Sequence, residues 1–380
     1  MPHSANVFDY VILAGFYQVQ FLILANPNED LYMQRRDFFS TTLGMALASP
    51  FLSSQLGYAQ TISPTPIIRP KVLSKGDTVG VVASGTAVPD PDRILEAKRI
   101  LNYFNLKMKL GKYVNQGSGY KTRSIKERLA SLHEMFSDSE VKAIFELRGG
   151  YGSIQLLDHI NYDLIKQNPK IFFGFSDITA LHLAIHKYTG LVTFHGPVLL
   201  SPFRGYTVDY FRKAIFATTP LGELTNSVDE QDVKSKHPLR TITSGKAQGE
   251  LIGGNLSLVT SLMGTPYEID SKGKILFLEE TGEQPYRIDR MLTQLRLAGK
   301  LSQAAGIIIG ECNDCDSSGY TWDYSLGEVL DSILGDLNIP VLYGLTIGHT
   351  SEQLTLPIGI AAQLDADSGV IKVLAAGVTQ

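Results

Sequence analysis

The fold is decided by the segment Ile171-Phe-Phe-Gly-Phe-Ser-Asp-Ile-Thr-Ala-Leu-His-Leu-Ala-Ile-His-Lys-Tyr188. Its first five residues are apolar or glycine, a pattern typical of a strand that is buried on both faces. Residues 177–188 follow with no intervening loop, and their apolar spacing predicts a helix. A buried strand that runs directly into a helix is the unit from which parallel α/β sheets are built.

The same alternation extends from this segment towards the N-terminus. A further strand begins at Thr193, and apolar runs and helical spacing predict strands at 77–83, 107–110 and 141–147 and helices at 91–104 and 124–136. Strands separated by helices imply a parallel sheet with right-handed crossovers. We therefore predict an N-terminal α/β domain over residues 72–203.

A second half of the chain shows the same pattern after an interruption. Polar and charged residues dominate from 226 to 240, and we assign residues 204–244 to a connection between domains. Beyond it, strands are predicted near Gly249, at 274–280, at 306–310 and from Pro340, with helices at 256–263, 285–297 and 326–334. The predicted fold class is α/β, with a parallel-sheet N-terminal domain and a smaller C-terminal α/β domain over residues 245–380.

Composition excludes several classes of protein. The 380 residues are 44% hydrophobic and 19% charged, which is typical of a globular chain. With 34 Lys and Arg against 38 Asp and Glu, the formal net charge is −4. Such a balance provides no electrostatic footprint for nucleic acid or an anionic membrane. Cys312 and Cys315 cannot form a disulfide framework, and one C-x-x-C pair supplies at most half of a zinc site. Whether the two are disulfide-bonded stays open.

The first sixty residues do not resemble the rest of the chain. Arg35-Arg36 precedes Phe38-Phe39, a mildly apolar run and the small residues of Gly57-Tyr-Ala59. This order is that of a twin-arginine export signal. We predict a signal peptide over residues 33–59, cleaved after Ala59, and a periplasmic location. The alternative is a cytoplasmic protein in which Arg35-Arg36 is an ordinary charged pair before a core helix.

Three further expectations follow from this interpretation. Because an export signal stands near the start of translation, we expect translation to begin at Met33 and residues 1–32 to be an upstream extension. Residues 60–71 contain several prolines and are expected to form an extended linker. We expect no stable membrane span in the mature form, and residues 7–25, which lie ahead of the predicted cleavage, make only a marginal span because they include Asp9, Gln18 and Gln20.

Ser176 is the candidate nucleophile. It stands at the seam between the strand 171–175 and the helix from Asp177, where free N–H groups at a helix start can stabilise an oxyanion. This is the geometry of a nucleophile elbow, although Gly174-Phe-Ser-Asp-Ile lacks the second glycine of G-x-S-x-G. The alternative is that Ser176 only caps the helix, a common role of serine.

Other candidate residues stand where predicted strands end. Arg148-Gly-Gly-Tyr-Gly152 ends the strand 141–147, at the edge where open α/β sheets bind ligands, and its glycines permit close backbone approach. Glu279 ends the strand from Lys274 and could orient an imidazole, with Glu280 and Glu283 as rivals. His349 follows a glycine in a loop and could act as a general base. His195 ends a strand and could line the site.

Together these segments resemble the LD-carboxypeptidase family, which includes murein tetrapeptide carboxypeptidases and microcin-immunity-type serine peptidases. The resemblance runs from about Val72 to Val373. It is carried by five segments in order, namely Arg148–Gly152, Gly174–Thr179, Gly253–Leu256, Leu278–Glu280 with Tyr286–Arg290, and Gly348–Thr350 with Thr355–Gly359.

The resemblance implies a Ser–Glu–His triad at Ser176, Glu279 and His349. It implies an oxyanion hole made by the backbone N–H of Asp177 and that of Gly149 or Gly150. Arg148, Tyr151 and His195 are the candidate substrate-binding residues.

The implied fold is an N-terminal domain related to glutamine amidotransferases and a smaller C-terminal domain. The implied reaction removes the terminal D-Ala from a murein tetrapeptide, with no metal or organic cofactor. A homodimer is an expectation from the family. Two alternatives remain, an immunity-type peptidase that cleaves a peptide–nucleotide antibiotic and a non-catalytic periplasmic binding protein with two lobes.

Overall fold

The computed structural model describes residues 66–117, 123–227, 238–315 and 324–380. All of them belong to one compact unit, residues 62–380. The predicted upstream extension, the signal peptide and most of the linker lie outside the described residues. Among the residues described, no helix combines the length and the apolar character that crossing a bilayer would require.

The described chain contains strands and helices in alternation. The strands are β1 (Thr78–Val82), β2 (Lys107–Leu110), β3 (Val141–Glu146), β4 (Ile171–Gly174), β5 (Thr193–His195), β6 (Gly222–Leu224), β7 (Arg240–Thr243), β8 (Lys246–Asn255), β9 (Ile275–Thr281), β10 (Gly306–Asn313), β11 (Val341–Leu345), β12 (Leu356–Ile358), β13 (Ala361–Asp365) and β14 (Val370–Val373). The helices are α1 (Pro91–Tyr103), α2 (Ile125–Ser137), α3 (Tyr162–Gln167), α4 (Thr179–Thr189), α5 (Gly205–Phe216), α6 (Leu256–Ser261), α7 (Pro285–Leu297), α8 (Lys300–Gln303) and α9 (Leu326–Leu334), with 3₁₀ turns at Ser153–His159 and Ser176–Ile178.

One sheet has the strand order β12-β5-β4-β3-β1-β2 within the described residues. The five strands from β1 to β5 are parallel, as the sequence predicts. β12 pairs antiparallel with β5, with Leu356 opposite His195. The division into 72–203 and 245–380 is therefore not a division between sheets, because a segment of the C-terminal half completes this one.

The other sheet has the order β6-β14-β13-β8-β9-β10-β11-β7 among described strands. Its centre, β8 to β11, is parallel, and antiparallel strands flank it on both sides. β6 and β7 lie in the segment 204–244, which the sequence assigns to a connection. Both are edge strands of three or four residues beside a polar stretch, so their hydrophobic signal is weak.

Local signals explain where key helices begin. Asp90 caps α1 by accepting a hydrogen bond from Asp92 N–H, and Pro91 takes the first helical position. Ser124 and Glu127 form a reciprocal capping box at the start of α2. Between the helices, the central parallel strands β3, β4 and β5 are almost wholly buried, with Phe172, Phe173 and Phe194 among the largest enclosed side chains. The carboxyl ends of β4, β9 and β11 carry the candidate catalytic residues.

Candidate active site

Ser176 lies on a sharp turn between β4 and the short 3₁₀ helix that leads into α4. Its φ is +64°, in the left-handed region that residues other than glycine seldom adopt. Such a turn lifts the hydroxyl group out of the sheet edge, as in a nucleophile elbow. The helix-capping alternative is not what the structure shows, because Ser176 is itself the first residue of the 3₁₀ turn and Phe175 holds the capping position.

His349 contacts the hydroxyl group of Ser176. Its Nε2 lies 3.1 Å from Ser176 Oγ, and its Nδ1 lies 2.9 Å from Glu279 Oε2. Because a carboxylate can only accept, Nδ1 carries a proton and Nε2 is left as the acceptor for the serine hydroxyl. The ring packs edge-on against Phe175 with a centroid distance of 4.8 Å.

Glu279 is almost completely buried, with 1% of its surface exposed. Gly348 brings the His349 loop against it. A Cβ at Gly348 would lie 2.0 Å from Glu279 Oε2, and the φ of Gly348 is +82°. Burial lowers the pKa of His349, but the hydrogen bond and negative charge of Glu279 outweigh burial, so the pKa of His349 is raised overall.

Glu280, the rival acid, serves a structural purpose. Its carboxylate accepts hydrogen bonds from Asn255 Nδ2, from the N–H and hydroxyl groups of Ser257 and from Thr281 N–H, over 2.7–3.0 Å. These contacts fix the start of α6 rather than the imidazole. The other rival, Glu283, forms an ion pair with Arg287 at 3.4 Å. Glu279 is therefore the acid that faces His349.

The loop after β3 borders Ser176 on another side. A Cβ at Gly149 would lie 3.0 Å from Ser176 Cβ and 3.3 Å from Oγ, so only glycine fits there without displacement. At Gly150 a Cβ would instead collide with Thr86 Oγ1. Of the two glycines considered from sequence, Gly149 is thus the one in contact with the serine, and the N–H of Asp177 follows Ser176 directly.

A cavity of about 530 Å³ opens beside Ser176 and His349. Its wall is formed by Ala87, Val88, Pro89, Asp90, Arg93, Arg148, Gly149, Gly150, Phe175, Val198, Leu200 and Ser201. A larger cavity of about 740 Å³ lies beside Lys187 and Tyr267 and contains none of the candidate residues. The smaller one is the cavity that a substrate of this serine would occupy.

The three candidate substrate-binding residues lie at different places with respect to the cavity. Arg148 is exposed and lines the cavity, and within the described chain its guanidinium group makes no hydrogen bond or ion pair. Tyr151 is 57% exposed and lies outside the cavity wall. His195 does not line the cavity at all. It is fully buried between Phe175 and Phe277 because β5 is covered by β12 and the second sheet.

A buried polar network beneath the site contains residues that sequence reasoning missed. Arg128 of α2 is 5% exposed, and Glu146 at the end of β3 is fully buried. Burial raises the pKa of Glu146 to about 7. The available signal was helical spacing, which places Arg128 on the same face as Ile125 and Leu132 rather than among the polar residues of α2.

The two cysteines are free thiols in the structure. Cys315 is buried and Cys312 is partly buried, at the end of β10. A hydrogen bond with Cys315, and secondly burial, raise the pKa of the Cys312 thiol. In the described part of the chain, no group of three or more His, Cys, Asp or Glu side chains could hold a metal ion.

The chain is similar in sequence to known proteins. Family models described as the LD-carboxypeptidase N-terminal and C-terminal domains match residues 79–196 and 248–364. A probable murein peptide carboxypeptidase of Bacillus subtilis is 43% identical over 312 residues, which is 82% of this chain and 96% of the relative.

Solved structures agree with these matches. A structure of MccF in complex with glutamyl sulfamoyl guanosine has a TM-score of 0.74 and 29% identity, covering 83% of this chain and all of that one. A muramoyltetrapeptide carboxypeptidase from Oxalobacter formigenes has a TM-score of 0.68 and 29% identity, covering 80% and 100%. The chain belongs to the LD-carboxypeptidase family and is a serine-type carboxypeptidase.

Proposed function

We propose that the protein hydrolyses the L,D-peptide bond that releases the terminal D-Ala from a murein tetrapeptide. The observation that carries the proposal is the hydrogen-bonded chain Ser176–His349–Glu279 at the mouth of a cavity. The names of the Bacillus and Oxalobacter relatives support a murein peptide as the substrate.

The three residues have the roles of a serine-peptidase triad in this proposal. Ser176 Oγ attacks the scissile carbonyl while His349 Nε2 takes its proton. His349 then delivers the proton to the leaving amine of D-Ala, and water hydrolyses the acyl-enzyme by the reverse route. Glu279 holds the tautomer of His349 and stabilises the imidazolium that forms.

The developing oxyanion needs N–H donors close to Ser176. We assign this role to the backbone N–H groups of Asp177 and Gly149. The contact between Gly149 and Ser176 supports Gly149 over Gly150. Two donors of this kind stabilise the tetrahedral intermediate more than the planar substrate, because they are directed at the position of the oxyanion.

A carboxypeptidase must also recognise a free terminal carboxylate. Arg148 is adjacent in sequence to Gly149, lines the cavity and has a guanidinium group without a partner in the described chain. A guanidinium group pairs with a carboxylate through two parallel hydrogen bonds. We assign Arg148 to the terminal carboxylate of D-Ala. Tyr151 is placed outside the cavity wall and stays a weaker candidate.

The decisive experiment is incubation with a murein tetrapeptide. The parent enzyme should release D-Ala, and Ser176→Ala should release none above background, because removal of a triad nucleophile costs about 10⁶-fold in kcat. A pentapeptide ending in D-Ala-D-Ala is the control for the L,D-bond. Absence of release by the folded parent would refute the substrate assignment.

An immunity-type activity is the second candidate. It is favoured by the structural match to MccF, whose solved complex contains glutamyl sulfamoyl guanosine. Among described residues the cavity wall offers Phe175 as an aromatic surface for a base, and Trp322, which the sequence suggests for this purpose, lies outside the described residues. Assay of the parent on glutamyl sulfamoyl guanosine beside the tetrapeptide separates the two functions, since the better substrate has the higher kcat/KM.

We propose, in addition, that residues 33–59 export the enzyme to the periplasm. The support is the order of Arg35-Arg36, the apolar run and Gly57-Tyr-Ala59. N-terminal sequencing of the mature protein should begin at Gln60, and replacement of both arginines by lysine should retain the protein in the cytoplasm. An intact N-terminus on the secreted or cytoplasmic parent would refute the proposal.

The state of assembly is a separate proposal. We infer a homodimer from the family alone. Sedimentation velocity of the parent checks it, against a chain mass of 41.7 kDa for the full sequence. A single species at twice the mass of the purified chain supports the dimer, and a single species at the chain mass refutes it.

A further inference from the structure

The two N–H groups assigned to the oxyanion belong to different segments of the chain. Gly149 follows β3, whereas Asp177 follows β4. An oxyanion hole works only when both donors lie about 2.7–3.1 Å from the same oxygen position. Something must therefore hold the two segments at a constant separation.

Asp177 connects the two segments with its own side chain. Its Oδ1 accepts a hydrogen bond from Gly152 N–H over 3.3 Å, and its Oδ2 accepts one from Ser153 N–H over 2.9 Å. The hydroxyl group of Ser153 also donates to the carbonyl of Asp177. One residue thus supplies a backbone donor beside Ser176 and binds the far end of the loop that contains Gly149.

Arg128 holds the same loop from below. Its Nη1 donates to the carbonyls of Gly152 and Ser84, over 2.8 and 2.7 Å, and its Nη2 donates to Gln155 Oε1 over 2.9 Å. The guanidinium group of Arg128 therefore joins the loop after β3 to the loop after β1. The second loop in turn contacts the first, because Thr86 N–H donates to the carbonyl of Gly149 over 3.2 Å.

Neither side chain has access to a substrate. Arg128 is 5% exposed and Asp177 is 3% exposed, and neither belongs to the cavity wall. Space around the contacts is tight as well, since a Cβ at Gly85 would lie 2.7 Å from Asp177 Oδ2 and 2.8 Å from the carbonyl of Gly149. The arrangement leaves little freedom for the loop to shift.

We propose that Arg128 and the carboxylate of Asp177 are positioning residues that fix the separation of the N–H groups of Gly149 and Asp177. The proposal rests on the proposed function, because it assumes that these groups receive the oxyanion. Displacement of a catalytic donor by about 1 Å can cost about 10²-fold in rate. Loss of the Arg128 guanidinium group should therefore lower kcat, while the cavity that determines KM stays intact.

Lys170 provides a matched control. Like Arg128 it is a buried cation that donates to two backbone carbonyls, those of Met135 and Asp138. It precedes β4, whereas Ser176 follows that strand, so the two lie at opposite ends of it. Lys170→Met removes a comparable buried cation without touching the loops around Ser176.

The experiment compares Arg128→Met, Arg128→Lys and Lys170→Met with the parent. We expect Arg128→Met to lower kcat for the tetrapeptide at least 10-fold with KM changed less than threefold. Arg128→Lys should recover part of the loss, because lysine keeps the charge but reaches less far. Lys170→Met should lose about as much thermal stability as Arg128→Met, but its kcat should stay within twofold of that of the parent.

A second measurement does not depend on the peptide substrate. A fluorophosphonate phosphonylates an activated serine, and its phosphoryl oxygen occupies the oxyanion position, so its rate constant with Ser176 should fall in parallel with kcat. Equal effects of Arg128→Met and Lys170→Met on both rates would overturn the proposal. If Arg128→Met does not fold, Arg128→Lys and Asp177→Asn take its place, and both rates of these variants are compared with those of Lys170→Met.

The outcomes separate the two proposals. If the parent releases no D-Ala but phosphonylation slows only in the Arg128 variants, the substrate assignment fails and the positioning role stands. If the parent releases D-Ala and neither rate responds to Arg128, the positioning role alone fails.

Discussion

His349 lies between a buried carboxylate and a serine hydroxyl group, and its protonation state controls both contacts. Only the neutral imidazole can accept the proton of Ser176. Because Glu279 stabilises the imidazolium, the raised pKa of His349 moves the loss of activity to a higher pH than an isolated histidine would give.

The first prediction concerns this titration. As pH falls, kcat/KM should decline with an apparent pKa above the ordinary value of about 6.5. Glu279→Gln should move this acidic limb to lower pH and reduce the plateau by about 10²–10⁴-fold, because the charge that favours the imidazolium and the correct tautomer is lost. Steady-state kinetics from pH 5 to 9 measure both. An unchanged limb in Glu279→Gln would contradict the assignment.

Glu146 supplies a second prediction at this scale. Burial raises the pKa of Glu146 to about 7 from its ordinary value of 4.5. Between these values the folded protein binds more protons than the unfolded chain, so the free energy of unfolding falls as pH rises from about 4.5 to 7. The component from this group is on the order of 3 kcal/mol.

Glu146→Gln should remove that component. The amide mimics the protonated acid, so the variant should gain stability relative to the parent as pH rises across this range. Urea unfolding at pH 5, 6, 7 and 8 measures the difference in free energy of unfolding between Glu146→Gln and the parent. The buried histidines titrate in both proteins, so their contributions cancel in this difference. A difference that is constant with pH would show that Glu146 titrates normally.

Helix α2 positions Arg128 beneath the active site. Its N-terminus is fixed by the capping box of Ser124 and Glu127, and Arg128 lies one residue after the box. The apolar face of the helix packs on the first sheet through Leu129, Leu132 and Phe136. The position of Arg128 thus depends on packing more than on the cap.

Ser124→Ala is therefore expected to separate stability from activity. Loss of the cap should lower the free energy of unfolding by about 1 kcal/mol. The value of kcat/KM should stay within twofold, since the contacts of Arg128 to Ser84 and Gly152 do not involve the cap. Denaturant unfolding and tetrapeptide hydrolysis on one preparation test this. A larger loss of kcat/KM than Arg128→Lys causes would show that the cap itself positions the site.

At the scale of the whole molecule, the site is assembled from two sheets. Ser176 follows a strand of the first sheet, Glu279 lies in β9 of the second, and His349 lies in the loop that leads from β11 of the second sheet to β12 of the first. β12 comes from the C-terminal half and completes the first sheet, and Asn255 N–H, at the end of β8, donates to Thr179 Oγ1 at the start of α4. The catalytic distances therefore depend on both sheets being folded.

We accordingly predict that activity is lost at the first unfolding transition. In a urea titration the midpoint for hydrolysis should coincide with the earliest midpoint seen by far-UV circular dichroism. The reason is that a shift of about 1 Å between Ser176 and His349 already disables proton transfer. Activity that persists after one sheet has unfolded would contradict this picture. Activity measured again after the urea has been removed by buffer exchange controls for irreversible loss of activity.

Sequence patterns predicted much of the fold for a physical reason. Strands buried on both faces are continuous apolar runs, and the helices between them have a 3.6-residue apolar period, so β1 to β5 and the parallel centre of the second sheet were readable from local sequence. No bounds are predicted for β6, β7, β12, β13 or β14, because strands of three to five residues carry little apolar signal of their own.

The sequence by itself determined the alternating α/β organisation, the candidate residues at strand ends and the family resemblance. Only the tertiary structure decided that Glu279 rather than Glu280 faces His349, that His195 is enclosed beneath the site, and that Arg128 joins the loops around Ser176. The physical reason is distance along the chain. Local periodicity is encoded within a few residues, whereas the hydrogen bonds of Arg128 and His349 and the ring contacts of His195 with two phenylalanines join residues 20 to 173 positions apart.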